Sequence, residues 1–295
     1  MITNKINKFI KATKKYGIFR TLFLAFQILF NYLVIQTRLL LITFLSQITV
    51  PRWLLKGVVS IDQVWDERRE VMGQIIRTNF NRPIEALELG TWFGEGSTKI
   101  WLSQLHENSS LVLIDSWKPF ISVDDKNHGT GTSDAFPWLG NETANTDKVQ
   151  NVALSNVIKL VEGIKEKVNV SVVKADGASF TKKFKEDMFD FIYVDASHYY
   201  DDVKRDLTEV IHVAKQDFSI ICGDDLDIGV DESLLDFARD NITRDFIGSK
   251  HGNFHPGVML AVHEVFGEVN VINGFWWIFI INGELRLESP LNSKK

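Results

Sequence analysis

From residue 59 onward, apolar and polar positions fall into two alternating kinds of block. Short apolar runs occupy 84–89, 111–114, 168–173, 189–194 and 218–222, the length and make-up of buried strands. Between them, residues 98–106, 147–159, 180–185 and 202–214 carry apolar side chains at helical spacing, and 62–78 leads in as an amphipathic helix. Strands that alternate with helices predict a parallel sheet covered on both faces. Near the end, 257–266 reads as a helix, and apolar runs at 269–272 and 275–281 flank Asn273-Gly274, a tight-hairpin signal. The expectation is an α/β fold: a Rossmann-like, mostly parallel sheet with helices on both faces and a C-terminal antiparallel hairpin.

The first 58 residues follow another pattern. After a lysine-rich start, the chain from Tyr16 to Phe44 is mostly Leu, Ile, Phe and Val. At about 100° per residue, Arg20, Gln27, Asn31 and Arg38 fall within roughly 20° of one line along a helix. That polar line interrupts every window of about 20 residues that a membrane-spanning helix needs. No small-x-small cleavage site follows it, which argues against a removed leader. Pro51 would end the helix, and Trp53 between Arg52 and Lys56 suits a membrane interface. Two readings stay open for this hydrophobic helical extension: a helix lying on a lipid surface through residues 1–55, or one packed on protein, either the body or a second subunit of a homo-oligomer. The predicted organisation is therefore 1–58 and 59–295.

Charge sharpens the division. Nine Lys and Arg and no Asp or Glu precede Asp62, so the rest carries 24 bases against 38 acids within a formal total of −5. A basic, oily head on an acidic body suggests that the two parts face different surroundings. With the lysines against anionic lipid, the body is expected in the cytoplasm, peripheral on the inner face of the membrane. The acidic balance gives no support for a nucleic-acid partner. A lone cysteine, Cys222, excludes an intrachain disulfide. One stretch, 118–145, lacks periodicity and holds Asp124, Asp125, Phe136 and Trp138. A long connection leaving a strand's C-terminal end reads as a lid over substrate or as a surface excursion.

Candidate chemistry sits at the C-terminal ends of the predicted strands, where open α/β sheets bind ligands. Residues 88–97 read Glu-Leu-Gly-Thr-Trp-Phe-Gly-Glu-Gly-Ser. Gly90, Gly94 and Gly96 let the backbone turn tightly and approach a ligand, and Glu88 sets a carboxylate beside the turn. The spacing is neither a P-loop nor the regular dinucleotide fingerprint. Asp115, about 20 residues further on, is placed to accept from ribose hydroxyls. Asp176 follows the third strand, either as a ligand or as a helix N-cap. Asp195 ends the fourth strand, and Asp224 and Asp225 end the fifth. Three carboxylates from neighbouring strands repel one another unless a cation or proton intervenes, which makes them candidate ligands for Mg²⁺ or another divalent cation. His198, three residues past Asp195, would act as a base or orienting group, or face solvent.

Glu88-Leu-Gly-x3-Gly-x-Gly-Ser97, Asp115, the segment Phe189 to His198 and Gly223-Asp-Asp225 together resemble the class I S-adenosylmethionine-dependent methyltransferases. The likeness is to the cation-dependent O-methyltransferase branch that includes macrocin-type sugar O-methyltransferases and cephalosporin-hydroxylase-like proteins. It spans roughly residues 60–282. The resemblance implies S-adenosyl-L-methionine as cofactor, with Glu88, Gly90, Gly94, Gly96 and Ser97 holding the methionine part and Asp115 taking the ribose. It places Asp176, Gly177 and Ala178 near the adenine and makes Asp195, Asp224 and Asp225 metal ligands. Lys215-Gln-Asp-Phe218 replaces the usual Pro-Gly-Gly, and Ala196 stands where Gly is common.

The expected reaction is methyl transfer to a hydroxyl of a sugar, glycolipid or polysaccharide, with Asp224 or His198 removing the proton and the cation as Lewis acid. A catechol-like small-molecule acceptor, a nucleotide-dependent oxidoreductase and a noncatalytic cosubstrate-binding scaffold are the alternatives.

Overall fold

In the computed structural model, described residues are 17–44, 60–120, 147–164 and 167–288. The chain divides into two compact units, Met1–Val58 and Val59–Lys295.

In the first unit one helix, α1 (Ile18–Phe44), is described. Most of its described apolar side chains are exposed: Phe19 is 86% exposed and Phe26 64%, with Leu22, Phe23, Leu29, Phe30, Leu33, Leu40 and Leu41 also exposed, while Val34 is half-buried. Among the described residues, no helix is long and apolar enough to cross a membrane.

The second unit opens with α2 (Asp66–Asn79) and proceeds through β1 (Glu85–Leu89), α3 (Ser97–Gln104), β2 (Ser110–Asp115), α4 (Asp147–Glu162), β3 (Asn169–Lys174), α5 (Gly177–Thr181), β4 (Phe191–Val194), α6 (Tyr200–Val213) and β5 (Phe218–Leu226). A short insertion follows, with α7 (Leu235–Asp240), β6 (Ile247–Ser249) and β7 (Gly252–Phe254). Then come α8 (Pro256–Phe266), β8 (Asn270–Ile272), β9 (Gly274–Ile281) and β10 (Glu284–Arg286). The main sheet runs β10-β9-β5-β4-β1-β2-β3, with β8 on β9. Strands β1 to β5 pair in parallel and β8 to β10 antiparallel. This is the doubly wound α/β arrangement that the alternation of blocks predicts.

Two sequence properties position the site. β4 (Phe-Ile-Tyr-Val) is buried on both faces, as a central parallel strand must be. Trp101 of α3 packs edge-on against Phe191 and Tyr193, with ring centroids 4.9 and 5.2 Å apart. On the other face, Val203, Leu207, Val210 and Val213 of α6 are buried at the spacing of an amphipathic helix. The strand order reverses between β1 and β4, which opens a crevice at their C-terminal ends.

The Asn273-Gly274 turn forms as expected, with both residues at positive φ (50° and 87°), which matches a type I′ hairpin. Asn282-Gly283 repeats the device (53° and 78°) and adds β10, a strand not anticipated from the sequence. The insertion between β5 and α8 was also not anticipated. Beyond Phe120, the candidate lid with Phe136 and Trp138 lies outside the described residues.

Candidate active site

The crevice is a cavity of about 370 Å³ at the C-terminal ends of the parallel strands, within the size range of small-ligand pockets. One side is the glycine loop. After β1 the chain turns at Gly90 (φ +87°), where an added Cβ would lie 1.9 Å from the carbonyl oxygen of Asp195. Only glycine lets these two strand ends approach so closely. Asp115, at the end of β2, fixes the loop from the other direction: Oδ2 accepts from the backbone N–H groups of Thr91 and Trp92, both at 2.9 Å. Its Oδ1 accepts from the Trp117 N–H at 2.7 Å. Burial raises the Asp115 pKa, opposed by those three N–H donors.

Glu88 is fully buried one step before the turn. Oε1 accepts from the Ser97 hydroxyl at 2.6 Å, while Oε2 is buried with no hydrogen-bond partner. Burial pushes its pKa up to about 8, against the lowering by Ser97 and Thr98.

The opposite side is a cluster of carboxylates and imidazoles. Asp195 follows β4, and its Oδ2 accepts from the buried Tyr193 hydroxyl at 2.9 Å. In β5 the register slips between Gly223 and Leu226. This bulge holds Asp225 at φ +64°, a conformation that costs a non-glycine residue about 1 kcal/mol and re-aims its side chain. The carboxylates at the bulge part company. Asp224 Oδ2 meets the Arg68 guanidinium at 2.5 Å, and its Oδ1 accepts from the Asp225 N–H at 2.9 Å. Asp225 Oδ2 instead meets His198 Nε2 at 2.8 Å.

The insertion supplies the rest. His198 Nδ1 lies 2.6 Å from Asp245 Oδ1, so the ring is clamped between two carboxylates. Burial works against a charge on His198, but Asp245 and Asp225 outweigh it and raise its pKa well above the ordinary value. The His255 ring lies tilted against that of His198, 4.3 Å away centroid to centroid. Its Nδ1 is 2.8 Å from the Asp245 carbonyl oxygen. A carbonyl only accepts, so Nδ1 carries a proton. Nε2 is 4.0 Å from Asp225 Oδ1 and 3.9 Å from Asp227 Oδ2. Burial, with Asp225 and Asp224 nearby, raises the Asp195 pKa well above the usual carboxylate range. Burial likewise takes Asp224 up to about 6. The facing histidines hold Asp225 below that range despite its burial.

A family model described as a methyltransferase domain matches residues 87–226, the segment that runs from β1 through the bulge of β5. Residues 87–226 are a methyltransferase domain.

Similar solved structures are distant in sequence. An O-methyltransferase from Bacillus cereus in complex with SAH is 15% identical, covering 84% of this chain and 99% of that one with a TM-score of 0.43. A candidate O-methyltransferase from Klebsiella pneumoniae is 14% identical, covering 84% and 90% with a TM-score of 0.45. A candidate sarcosine dimethylglycine methyltransferase from Galdieria sulphuraria is 14% identical over 70% of this chain, with a TM-score of 0.35; the present chain spans 63% of its length. Among curated proteins none matches.

Within the methyltransferase domain, Gly90, Gly94, Gly96, Ser97, Asp115, Asp195, His198, Asp224 and Asp225 all line the one cavity. The Asp115 carboxylate and the Ser97 hydroxyl, which line the cavity beside the turn from Gly90 to Gly96, fit a ligand that brings hydroxyl or amino donors to the loop. Glu88, Asp176, Gly177 and Ala178 do not line the cavity; Glu88 is buried behind the loop, held to Ser97. Asp176 caps α5, accepting from the Ser179 N–H at 3.0 Å, and pairs with Arg205 at 3.0 Å. The cap alternative considered for it describes its contacts. Arg68, Asp227, Asp245 and His255 also line the cavity and carried no motif. A histidine directly before Pro256, a proline opening a helix, was the one signal available, and it points to a helix start rather than to chemistry.

Proposed function

We propose that the protein transfers a methyl group from S-adenosylmethionine to a hydroxyl of a sugar-bearing acceptor, a glycolipid or polysaccharide, with help from Mg²⁺ or another divalent cation. One observation carries this reading: the glycine loop and a carboxylate–imidazole cluster face each other across a single cavity, joined where Gly90 touches the Asp195 backbone. When bound, S-adenosylmethionine supplies an electrophilic methyl, which passes to the acceptor oxygen as the carbon–sulfur bond breaks and S-adenosylhomocysteine is left.

The residues divide the work by their surroundings. Glu88, Ser97 and the turns at Gly90, Gly94 and Gly96 would hold the methionine end, and Asp115 the ribose. Asp195 and Asp225 would carry the cation, whose Lewis acidity lowers the pKa of a coordinated hydroxyl. His255 is the group suited to take the acceptor's proton, because its Nε2 lies 4.0 Å from Asp225 and 3.9 Å from Asp227, beyond hydrogen-bonding distance of either, and faces the cavity. Asp224, paired with Arg68, and His198, held between two carboxylates, are less suited. Phe246, which lines the cavity beside His255, offers a face for a sugar ring.

The exposed apolar face of α1 and the acid-free, basic start of the chain support a second part of the reading: the protein rests on an anionic membrane surface at the cytoplasmic side, where a lipid-linked acceptor is found.

Mass spectrometry of glycolipids and polysaccharides from cells with and without the gene tests the reaction. The expected result is a glycan lighter by one methyl group in the deletion strain, restored by the gene. Unchanged glycans alongside a methyl loss on a small aromatic would replace the sugar acceptor with a catechol-like one.

A further inference from the structure

The geometry points to a cation site made of Asp195, Asp225 and His198 Nε2, with Asp224 excluded, which selects a first-row transition ion of the Mn²⁺ or Fe²⁺ type over Mg²⁺. It deepens the reading of this cavity as a cation-assisted methyl-transfer site, and rests on it only for the cation's purpose.

The donor set is written in the distances. One carboxylate oxygen each from Asp195 and Asp225 and one His198 nitrogen lie within 4.8 Å of one another. His198 Nε2 and Asp225 Oδ2 are 2.8 Å apart, and neighbouring ligands of an octahedral ion with bonds of about 2.1 Å stand about 3 Å apart. Replacing the shared proton by an ion therefore needs only a small outward movement. Asp224 is not free to join: Arg68 holds Oδ2 and the Asp225 N–H holds Oδ1. Three carboxylates would make an all-oxygen, Mg²⁺-type site. Exchanging one for an imidazole shifts preference along the first-row series.

The far side of His198 supports the assignment. A ligating histidine characteristically gives its other ring N–H to a carboxylate, which fixes tautomer and ring orientation. Asp245 Oδ1 sits 2.6 Å from Nδ1 and is itself buried, so it is a positioning residue for the ring. The close approach of α8 holds the backbone in place as well, since a Cβ on Gly257 would lie 2.3 Å from the His198 carbonyl oxygen. The insertion between β5 and α8 thus turns a strand-end acid pair into a mixed nitrogen–oxygen site.

Titration of the full-length chain with MnCl₂ and with MgCl₂, followed by calorimetry, tests the selectivity. Mn²⁺ is expected to bind at least tenfold tighter than Mg²⁺. Pulsed electron paramagnetic resonance of the Mn²⁺ complex should show ¹⁴N coupling from a bound imidazole. In His198→Asn that coupling should vanish and Mn²⁺ affinity fall at least tenfold. Asp245→Asn should weaken Mn²⁺ about tenfold while keeping the ¹⁴N signal. Asp224→Asn should keep Mn²⁺ affinity within about threefold.

Equal or tighter Mg²⁺ binding, a Mn²⁺ complex without ¹⁴N coupling, or loss of binding in Asp224→Asn but not in His198→Asn would overturn the site. Titration of the same samples with S-adenosylhomocysteine separates this from the methyl-transfer reading. Its binding should survive in His198→Asn, which also reports that the variant is folded. Mn²⁺ binding with no S-adenosylhomocysteine binding would support the cation site and overturn the methyl-transfer reading alone.

Discussion

Asp206 stands on the buried face of α6, with one carboxylate oxygen lacking any hydrogen-bond partner and a Cβ on Gly177 excluded by 2.8 Å from that same oxygen. Burial, reinforced by Asp176, raises its pKa from 3.8 to about 7. For an acid whose pKa is higher folded than unfolded, the unfolded chain releases its proton first. Stability therefore falls as pH rises from about 4 to about 7 and is flat beyond. Asp206→Asn removes that loss. The variant should match the parent near pH 4 and exceed it by roughly 4 kcal/mol at pH 8. Urea unfolding at both values checks this, and a gain that does not vary with pH would show that ionisation is not the cause. The residue scale also marks where the sequence ran out. Asp195 and Asp225 were legible because each ends an apolar run aimed at a known edge. Asp245 and His255 were not, since only the path of the insertion brings them beside His198.

Elements meet at Arg68. This residue of α2 donates from Nε to the Asn273 carbonyl at 2.9 Å and pairs with Asp224 of the β5 bulge, while its guanidinium lies where a Cβ on Gly274 would fall. One side chain therefore ties the entry helix, the β8–β9 turn and a site strand together. Arg68→Met would leave Asp224 as a buried charge without its partner, and breaking such a pair costs about 3 kcal/mol. Asp224 already has its pKa raised to about 6, and loss of Arg68 raises it further. The penalty should therefore be small at pH 5, where the acid is neutral, and reach its full size near pH 8. Denaturant midpoints at the two values measure it; a penalty equal at both would assign the loss to packing. Strand and helix alternation and the first Asn-Gly turn were legible because period and turn chemistry are local properties. The insertion was not, because its two three-residue strands are too short to carry a period. The Arg68–Asp224 pair spans a sequence distance that no local pattern reports.

At the scale of the whole molecule, the two units carry opposite character. The first holds nine bases and no acid among residues 1–58, and the second is strongly acidic. A row of outward apolar side chains from Phe19 to Leu41 would remain exposed to water if α1 had no covering surface, which monomeric proteins avoid for patches this large. Lipid and a second copy of the chain both remove that exposure, but charge separates them: two basic heads repel, whereas an anionic bilayer attracts basic residues by about 1 kcal/mol each near its surface. The acidic body is repelled by the same surface, so the head alone should sit against it. Full-length protein should float with vesicles containing phosphatidylglycerol, stay behind with pure phosphatidylcholine, and be released progressively as salt rises, because screening shortens the reach of surface charge. Phe23→Glu with Phe26→Glu should abolish flotation while leaving S-adenosylhomocysteine binding by the body intact. Flotation independent of lipid charge would leave apolar insertion as the sole cause. Concentration-dependent dimers without flotation would give the face to a second copy of the chain.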